Sequence, residues 1–330
     1  VKAIAQSRAS RRRELFAATA DKWAITPAAA EKDFWIVWVL QQLFDLPDWG
    51  QRLRFKGGTS LSKAYSVIER FSEDIDLILD WSDLTDQDPL ASRSKNKQGQ
   101  LNQAINQQAQ GAIREQLLPA VQQAMAPVCT ASLEPGDPHT IAVQYPAEFA
   151  PGYLRPVVRL EIGPLAAMLP MQWRNVQSYA AASFPQAFTE PQVQVPTISI
   201  ERTFWEKLTI LHAEAHRPAD KPLPARYARH YYDVHRLAQS DYAADALADT
   251  SLLAEVVAFK QKFYPAAWAN YPAATPAGLQ LQPAPAHAKA LAQDYSAMAE
   301  MIFGTRPRFD EIIQTLSDLE AQLHNQYTEK

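Results

Sequence analysis

A glycine pair, Gly57-Gly58, and an Asp-x-Asp, Asp74-Ile75-Asp76, joined by one amphipathic stretch, constrain this chain more than any other feature. Around them the sequence reads Phe55-Lys56-Gly57-Gly58-Thr59-Ser60-Leu61-Ser62-Lys63-Ala64-Tyr65, and then Arg70-Phe71-Ser72-Glu73-Asp74-Ile75-Asp76-Leu77. Two glycines let the backbone turn tightly and come close to a ligand, and Thr59 and Ser60 are good helix-capping residues. The free N–H groups of a helix begun there face an anion, so Gly57, Gly58, Thr59 and Ser60 form a candidate phosphate seat. Leu61, Ala64, Tyr65, Ile68 and Phe71 recur at steps of three and four, which predicts a helix over 60–71 lying on a core. From Asp74 the period falls to two: Asp74 and Asp76 share one face of a strand, Ile75 and Leu77 the other. Paired carboxylates of this kind suit Mg2+ or Mn2+, and Mg2+ favours one or two carboxylates together with the phosphates of a substrate.

With 330 residues and 47% hydrophobic composition, the chain can fill a core and has the length of two ordinary domains. A formal charge of −4 excludes an all-over basic coat, so any RNA partner needs a focused cationic patch. The single cysteine, Cys129, excludes a disulfide framework and a cysteine-based zinc site, and it suits a reducing compartment. No apolar run approaches the roughly 20 residues that span a bilayer, and the first residues lack the apolar centre of a secretion signal. The expectation is therefore a cytoplasmic protein without a membrane partner, its initiator methionine missing ahead of Val1.

Residues 1–24 read as helix, with Arg11-Arg12-Arg13 on a solvated face and RNA contact as the alternative. A second helix covers 27–45, with Pro27 near its start and Phe34, Val37, Trp38 and Leu40 facing the core. The polar stretch 81–100 reads as a mobile loop beside the site, followed by a Gln- and Ala-rich helix over 101–126. Residues 139–146 and 156–163 read as two strands around a turn at Tyr153-Leu154-Arg155. In the second of these, Arg159 and Glu161 share one face and Val158, Leu160 and Ile162 the other.

From Thr197 the pattern is mostly helical. Phe204, Leu208, Leu211 and Ala215 form the buried stripe of a helix over 200–217, and Lys207 borders it, a position from which lysine ordinarily reaches water. The next helix carries Arg226, Arg229, His230, Tyr231, Tyr232 and Asp233, by composition a packed, salt-bridged surface. His212 and His216 have metal-ligand spacing, but in His-Ala-Glu-Ala-His the glutamate is displaced from the zinc-protease pattern and no clear third ligand follows, so zinc is disfavoured. Five prolines in 264–286 mark a wrapping connection, after which 294–304 and 309–323 read as two amphipathic helices with Met298, Met301 and Ile302 in the core.

Glycine turn, helix and Asp-x-Asp in that order resemble the nucleotidyltransferase fold. The wider string, Lys56 to Lys63 with Arg70 to Asp76, resembles the AbiEii/AbiGii toxin family, the nucleotidyltransferase components of type IV toxin–antitoxin systems. Glu31-Lys32-Asp33-Phe34-Trp35 is similar to the helix that precedes this motif, Phe204-Trp205-Glu206-Lys207-Leu208 to the family's Phe-x-Glu-Lys-Leu, Arg229-His230-Tyr231-Tyr232-Asp233 to its Arg-x-x-Tyr-Asp, and Asp294-Tyr295-Ser296-Ala297-Met298 to an ending found in part of the family. The matches span most of 25–325 and imply a complete C-terminal lobe.

The resemblance implies an α+β fold: a nucleotidyltransferase core over 1–198, a small mixed sheet with helices, and a helical lobe over 199–330 packed to form the cleft. It implies a reaction in which a nucleoside monophosphate passes from a nucleoside triphosphate (NTP) to a hydroxyl, with Asp74 and Asp76 holding two metal ions. A third carboxylate is expected from a neighbouring strand, and Glu161 is the candidate, as metal ligand or general base; an Arg159–Glu161 surface pair is the alternative. Lys207 would lie against the phosphates, Asp233 would hold Lys207 or complete the acidic site, and Arg229 would contact phosphate or RNA. The implied acceptor is the 3′ end of a tRNA, and the implied protein partner a cognate antitoxin. Two other readings stay open: a nucleotidyltransferase that modifies a protein or a small molecule such as an antibiotic, and a non-catalytic nucleotide-binding module.

Overall fold

The computed structural model describes residues 1–150 and 154–328, so Tyr153 of the expected turn lies outside the described residues. The chain divides into two compact units. One comprises Val1–Ser66, Phe71–Pro89 and Lys95–Ile198; the other comprises Val67–Arg70, Leu90–Ser94 and Ser199–Lys330.

The first unit opens with α1 (Lys2–Ala5), α2 (Ala9–Trp23) and α3 (Pro27–Phe44). Thr26 accepts the N–H of Ala29 and Pro27 stands in the first turn, a start that fixes the entry of α3. Phe34, Val37, Trp38 and Leu40 of α3 are buried as expected. The arginine run departs from expectation, because Arg12 is buried: it pairs with Glu148 and donates to the carbonyl of Ala5 at 3.2 Å. A charge taken out of water needs such partners, and the local pattern does not reveal them.

Then follow β1 (Leu53–Lys56), α4 (Gly57–Lys63) and β2 (Asp74–Leu79). The helix expected over 60–71 is thus much shorter and begins at the glycine pair itself. Leu61, Ala64, Tyr65, Ile68 and Phe71 are all buried, so the periodicity reports burial correctly. Past Lys63 the helical backbone stops, Ser66 takes a positive φ of 55°, and Val67–Arg70 join the second unit. β-Branched Val67 and Ile68 favour extended backbone after that reversal.

Next come α5 (Lys95–Ala112), a π-helical turn at Ile113–Leu117, and α6 (Leu118–Met125). The polar loop is therefore shorter than expected, since its last residues already belong to α5. Strands β3 (Thr130–Glu134), β4 (Asp137–Gln144), β5 (Val157–Gly163) and β6 (Met171–Val176), helix α7 (Tyr179–Ser183) and strand β7 (Val193–Ile198) complete the unit. All seven strands form one mixed sheet in the order β3-β4-β5-β2-β1-β7-β6. β2 lies in the middle, antiparallel to β1 and parallel to β5. Its Ile75, Leu77 and Leu79 are buried while Asp74 and Asp76 are half-buried, the alternation that the sequence predicts.

The second unit holds α8 (Ile200–Ala215), α9 (Ala228–Ala238), α10 (Ala243–Ala248), α11 (Thr250–Phe263), α12 (Pro285–Ala297) and α13 (Phe309–Thr328). Ser199 caps α8 and Asp249 caps α11 through the N–H groups of Arg202 and Leu252. The helix expected over 294–304 instead lies earlier in the chain as α12, begun by Pro285, and only Met298 of Met298, Met301 and Ile302 is fully buried. Asp294, near the end of α12, accepts the N–H groups of Arg226 and Ala228 at 2.7 Å each and so anchors the start of α9. No helix among the described residues is long and apolar enough to cross a membrane.

Candidate active site

Cross-strand register assembles an acidic face in the first unit. Asp76 on β2 is paired with Lys56 on β1 and with Glu161 on β5, while Asp74 is paired with Arg159 on β5. Side chains of paired residues project to the same side of a sheet, so Asp74, Asp76, Glu161 and Arg159 are neighbours on one surface. Lys32 of α3 pairs with Glu73 at 2.8 Å, which places a buried ammonium beside the residue that precedes Asp74.

The glycine turn is built around the same carboxylates. Gly57 has a φ of +77°, and a Cβ at that position would lie 1.9 Å from Oδ2 of Asp76. Glycine is thus required both by the backbone angle and by the approach of Asp76. Because α4 begins at Gly57, Thr59 and Ser60 do not cap it. Their hydroxyls donate inward, Thr59 to the carbonyl of Asp74 and Ser60 to that of Gly57 at 2.8 Å, and both residues are fully buried. What the segment can offer an anion is therefore backbone N–H at the glycine pair, while Thr59 ties α4 to the start of β2.

Burial raises the pKa of Asp74; Arg159 and Lys32 draw it back down, and Asp76 and Glu73 add to the rise. Glu161 is pushed up to about 7, first by burial and then by the charges of Asp74 and Asp76. Arg159 offsets part of this crowding: its guanidinium lies 2.9 Å from Glu161 and 3.9 Å from Asp74. The donors are all carboxylate oxygens, the set preferred by Mg2+ and Mn2+, and their mutual repulsion favours a cation. As they stand they do not converge on one point, since among the described residues no three His, Cys, Asp or Glu side chains form a metal-holding group. The chemistry of the set fits a divalent ion.

A second cluster lies within the second unit. Lys207 on α8 reaches Oδ2 of Asp233 on α9 at 2.8 Å, and Arg70 grips the same carboxylate with two bonds, Nε to Oδ1 at 2.7 Å and Nη2 to Oδ2 at 2.8 Å. Asp233 is fully buried, and the two cations hold its carboxyl far below the usual range against the opposing effect of burial. Lys207 is only 7% exposed, so it does not reach out to water as residue type alone suggests. Burial lowers its pKa while Asp233 opposes the change, and Nδ1 of His230 lies 3.1 Å from its ammonium. The imidazole's pKa falls well below normal through burial and Lys207, so it is the neutral acceptor of that contact. One anion and two cations leave the cluster with excess positive charge, and exposed Arg229 adds to it.

Sequence motifs thus bring Asp74, Asp76 and Glu161 together in one unit, and Lys207 and Asp233 in the other. Arg70 has no role in the sequence reading, although it opens the string that ends in Asp74-x-Asp76; its partner lies 163 residues away. Lys32 shares this history: it stands in a motif, but its function as counter-ion of Glu73 needs the fold. The histidine pair is accounted for without metal, because both ring nitrogens of His212 are engaged, Nε2 with the carbonyl of Asn270 and Nδ1 with the N–H of Gln280, each at 3.1 Å.

None of the curated proteins compared with the chain matches it. Among solved structures, MenT4, a nucleotidyltransferase toxin from Mycobacterium tuberculosis H37Rv, aligns over 96% of this chain and 88% of its own at 17% identity, with a TM-score of 0.47. JHP933 from Helicobacter pylori aligns over 92% of this chain and 95% of its own at 14% identity, with a TM-score of 0.45. The family model described as "Nucleotidyl transferase AbiEii toxin, Type IV TA system" matches residues 38–315, a span that contains the glycine turn, all three carboxylates of the acidic face, Lys207 and Asp233. The chain belongs to the AbiEii nucleotidyltransferase toxin family of type IV toxin–antitoxin systems.

Proposed function

We propose that this toxin transfers a nucleoside monophosphate from an NTP to the 3′ end of a tRNA, in a reaction that depends on Mg2+ or Mn2+. The observation that carries the metal-dependent reading is the register that sets Glu161 beside Asp76, with Asp74 on the same face and the backbone of Gly57 against Asp76. The acceptor hydroxyl oxygen bonds to the α-phosphorus, the bond from that phosphorus to the pyrophosphate oxygen breaks, and pyrophosphate leaves with the electron pair. Asp74 and Asp76 hold the metal ions; Glu161 is either their third ligand or the base that takes the hydroxyl proton. Bound metal supplies activation of the attacking oxygen and charge stabilisation of the leaving one. N–H groups at Gly57 and Gly58 receive phosphate oxygens, and Thr59 and Ser60 shape that turn from inside. Lys207 and Arg229 offset the charge that develops on pyrophosphate, with Asp233 holding the Lys207 ammonium in place. What supports a cognate antitoxin as partner is the family, a toxin family of type IV toxin–antitoxin systems; tRNA as acceptor is carried over from the resemblance of the sequence motifs, and the cytoplasm from the single cysteine.

The test is incubation of the wild type and Asp74→Ala with each α-labelled NTP, Mg2+ and total RNA, with a chelator control. Label in tRNA that disappears in the variant and in the chelator supports the proposal. Label in protein or in a small molecule replaces the acceptor and keeps the chemistry. Absence of transfer with every nucleotide and every acceptor class overturns both.

A further inference from the structure

Arg159 lies among four carboxylates and comes within hydrogen-bond distance of only one of them. Its nearest contact is Glu161 at 2.9 Å; Asp74, Asp137 and Glu134 follow at 3.9, 3.8 and 4.0 Å. The Nε is buried without a hydrogen-bond partner among the described residues. Arginine carries five donors, and its strong pairing with a carboxylate is bidentate. Arg70 has that bidentate grip on Asp233, with both bonds below 3 Å, and is locked. Arg159, by contrast, is stretched between an inner pair, Asp74 and Glu161, and an outer pair, Glu134 at the end of β3 and Asp137 at the start of β4.

The outer pair contains an anion that is set in place without Arg159. Asp137 accepts the N–H of His139 at 3.1 Å through one oxygen and the hydroxyl of Thr140 at 2.7 Å through the other. Those hydrogen bonds, the Thr140 hydroxyl first, keep its carboxyl below the usual range, so it stays charged wherever the guanidinium goes. The inner pair belongs to a set that forms no three-residue metal-holding group among the described residues, and Glu161 of that pair is engaged by Arg159.

We propose that Arg159 is a displaceable counter-ion: its guanidinium neutralises Asp74 and Glu161 while no divalent cation is bound, and moves to Glu134 and Asp137 when one binds. This rests on the metal-dependent reading of the acidic face. Arg159 is then a positioning residue, and its presence lowers the affinity of the site for metal in exchange for keeping three crowded carboxylates tolerable in the metal-free protein. A divalent and a monovalent cation forced to remain about 6 Å apart repel enough, even at the dielectric of water, to weaken binding roughly tenfold.

The experiment is Mn2+ binding, followed by the loss of free-ion EPR signal without nucleotide, to the wild type, Arg159→Gln, the outer-pair double variant Glu134→Gln/Asp137→Asn, and the combination of all three changes. Asp74→Asn/Glu161→Gln serves as the control for the site. Arg159→Gln is expected to bind Mn2+ about tenfold more tightly and, without metal, to melt at a lower temperature that Mn2+ restores. The outer-pair variant is expected to bind several-fold more weakly in the Arg159 background and to have little effect beside Arg159→Gln, because the outer pair acts through the arginine. Equal or weaker binding by Arg159→Gln overturns the proposal, as does an outer-pair effect of the same size in both backgrounds. Should Arg159→Gln not fold, unchanged Mn2+ affinity in the outer-pair variant alone overturns it. If the wild type binds no Mn2+, or the Asp74/Glu161 control binds as well as the wild type, the metal reading itself fails.

Discussion

The Cβ that Gly57 lacks would lie 1.9 Å from Oδ2 of Asp76. The glycine turn and the second aspartate therefore form one device, in which absence of a side chain at the head of α4 makes room for a carboxylate on β2. Gly57→Ala must both hold a positive φ of 77° and push Asp76 aside. The expected result is a loss of about 1–3 kcal/mol in stability and of roughly a hundredfold in nucleotide transfer. Gly99→Ala is the control: exposed on α5 with nothing near the added methyl, it should gain about 0.5–1 kcal/mol and leave transfer unchanged. Urea denaturation and a labelled-nucleotide assay on both variants decide this, and wild-type transfer by Gly57→Ala would refute it.

Asp233 satisfies two buried cations at once. Asp233→Asn strips Arg70 and Lys207 of their common anion, and the expected cost is about 3–5 kcal/mol in the unfolding of the second unit. Adding Lys207→Met should recover part of that loss, since one stranded charge is then removed. Equilibrium unfolding of the two variants measures the coupling, and equal stability of the single and double variants would count against the shared-anion arrangement.

Glu161 gives the metal-free protein a pH dependence of defined sign. Its folded pKa, about 7, lies above the ordinary glutamate value of 4.5, so between these limits the native state keeps a proton that the unfolded chain has released. Stability therefore falls as pH rises through that window. In the presence of a chelator the thermal midpoint should drop between pH 5 and 7 more steeply for the wild type than for Glu161→Gln. Parallel curves would show that Glu161 does not titrate there.

Burial pushes the Cys129 thiol up to about 12. A thiol so protonated and so enclosed should resist iodoacetamide at pH 8 in the native protein and react at once in denaturant. Mass spectrometry of the alkylated chain checks this, and rapid native labelling would show that the first unit opens locally around α6 and β3.

Legibility in the sequence followed the range of the interaction. Alternation along β2 and β5 was readable because the pleat is a property of each strand, and it placed Asp74 with Asp76 and Arg159 with Glu161 before any pairing was known. The end of α4 was not readable: Leu61 to Phe71 keep helical spacing, and yet the chain reverses at Ser66 and its next residues pack elsewhere. Buried charge was the least legible, since Arg12, Lys32 and Lys207 look like solvated residues until their carboxylate partners, remote in sequence, are in place.

By itself the sequence determined the chemistry on offer, a tight glycine turn and an Asp-x-Asp on one strand face, because spacing and residue type act over a few neighbours. Only the tertiary structure decided who answers whom: Glu161 beside Asp76 through parallel pairing of β2 with β5, Asp76 in the space left by Gly57, and Arg70 and Lys207 on Asp233. Strand register and the compensation of buried charge are set by the whole core, which no local pattern encodes.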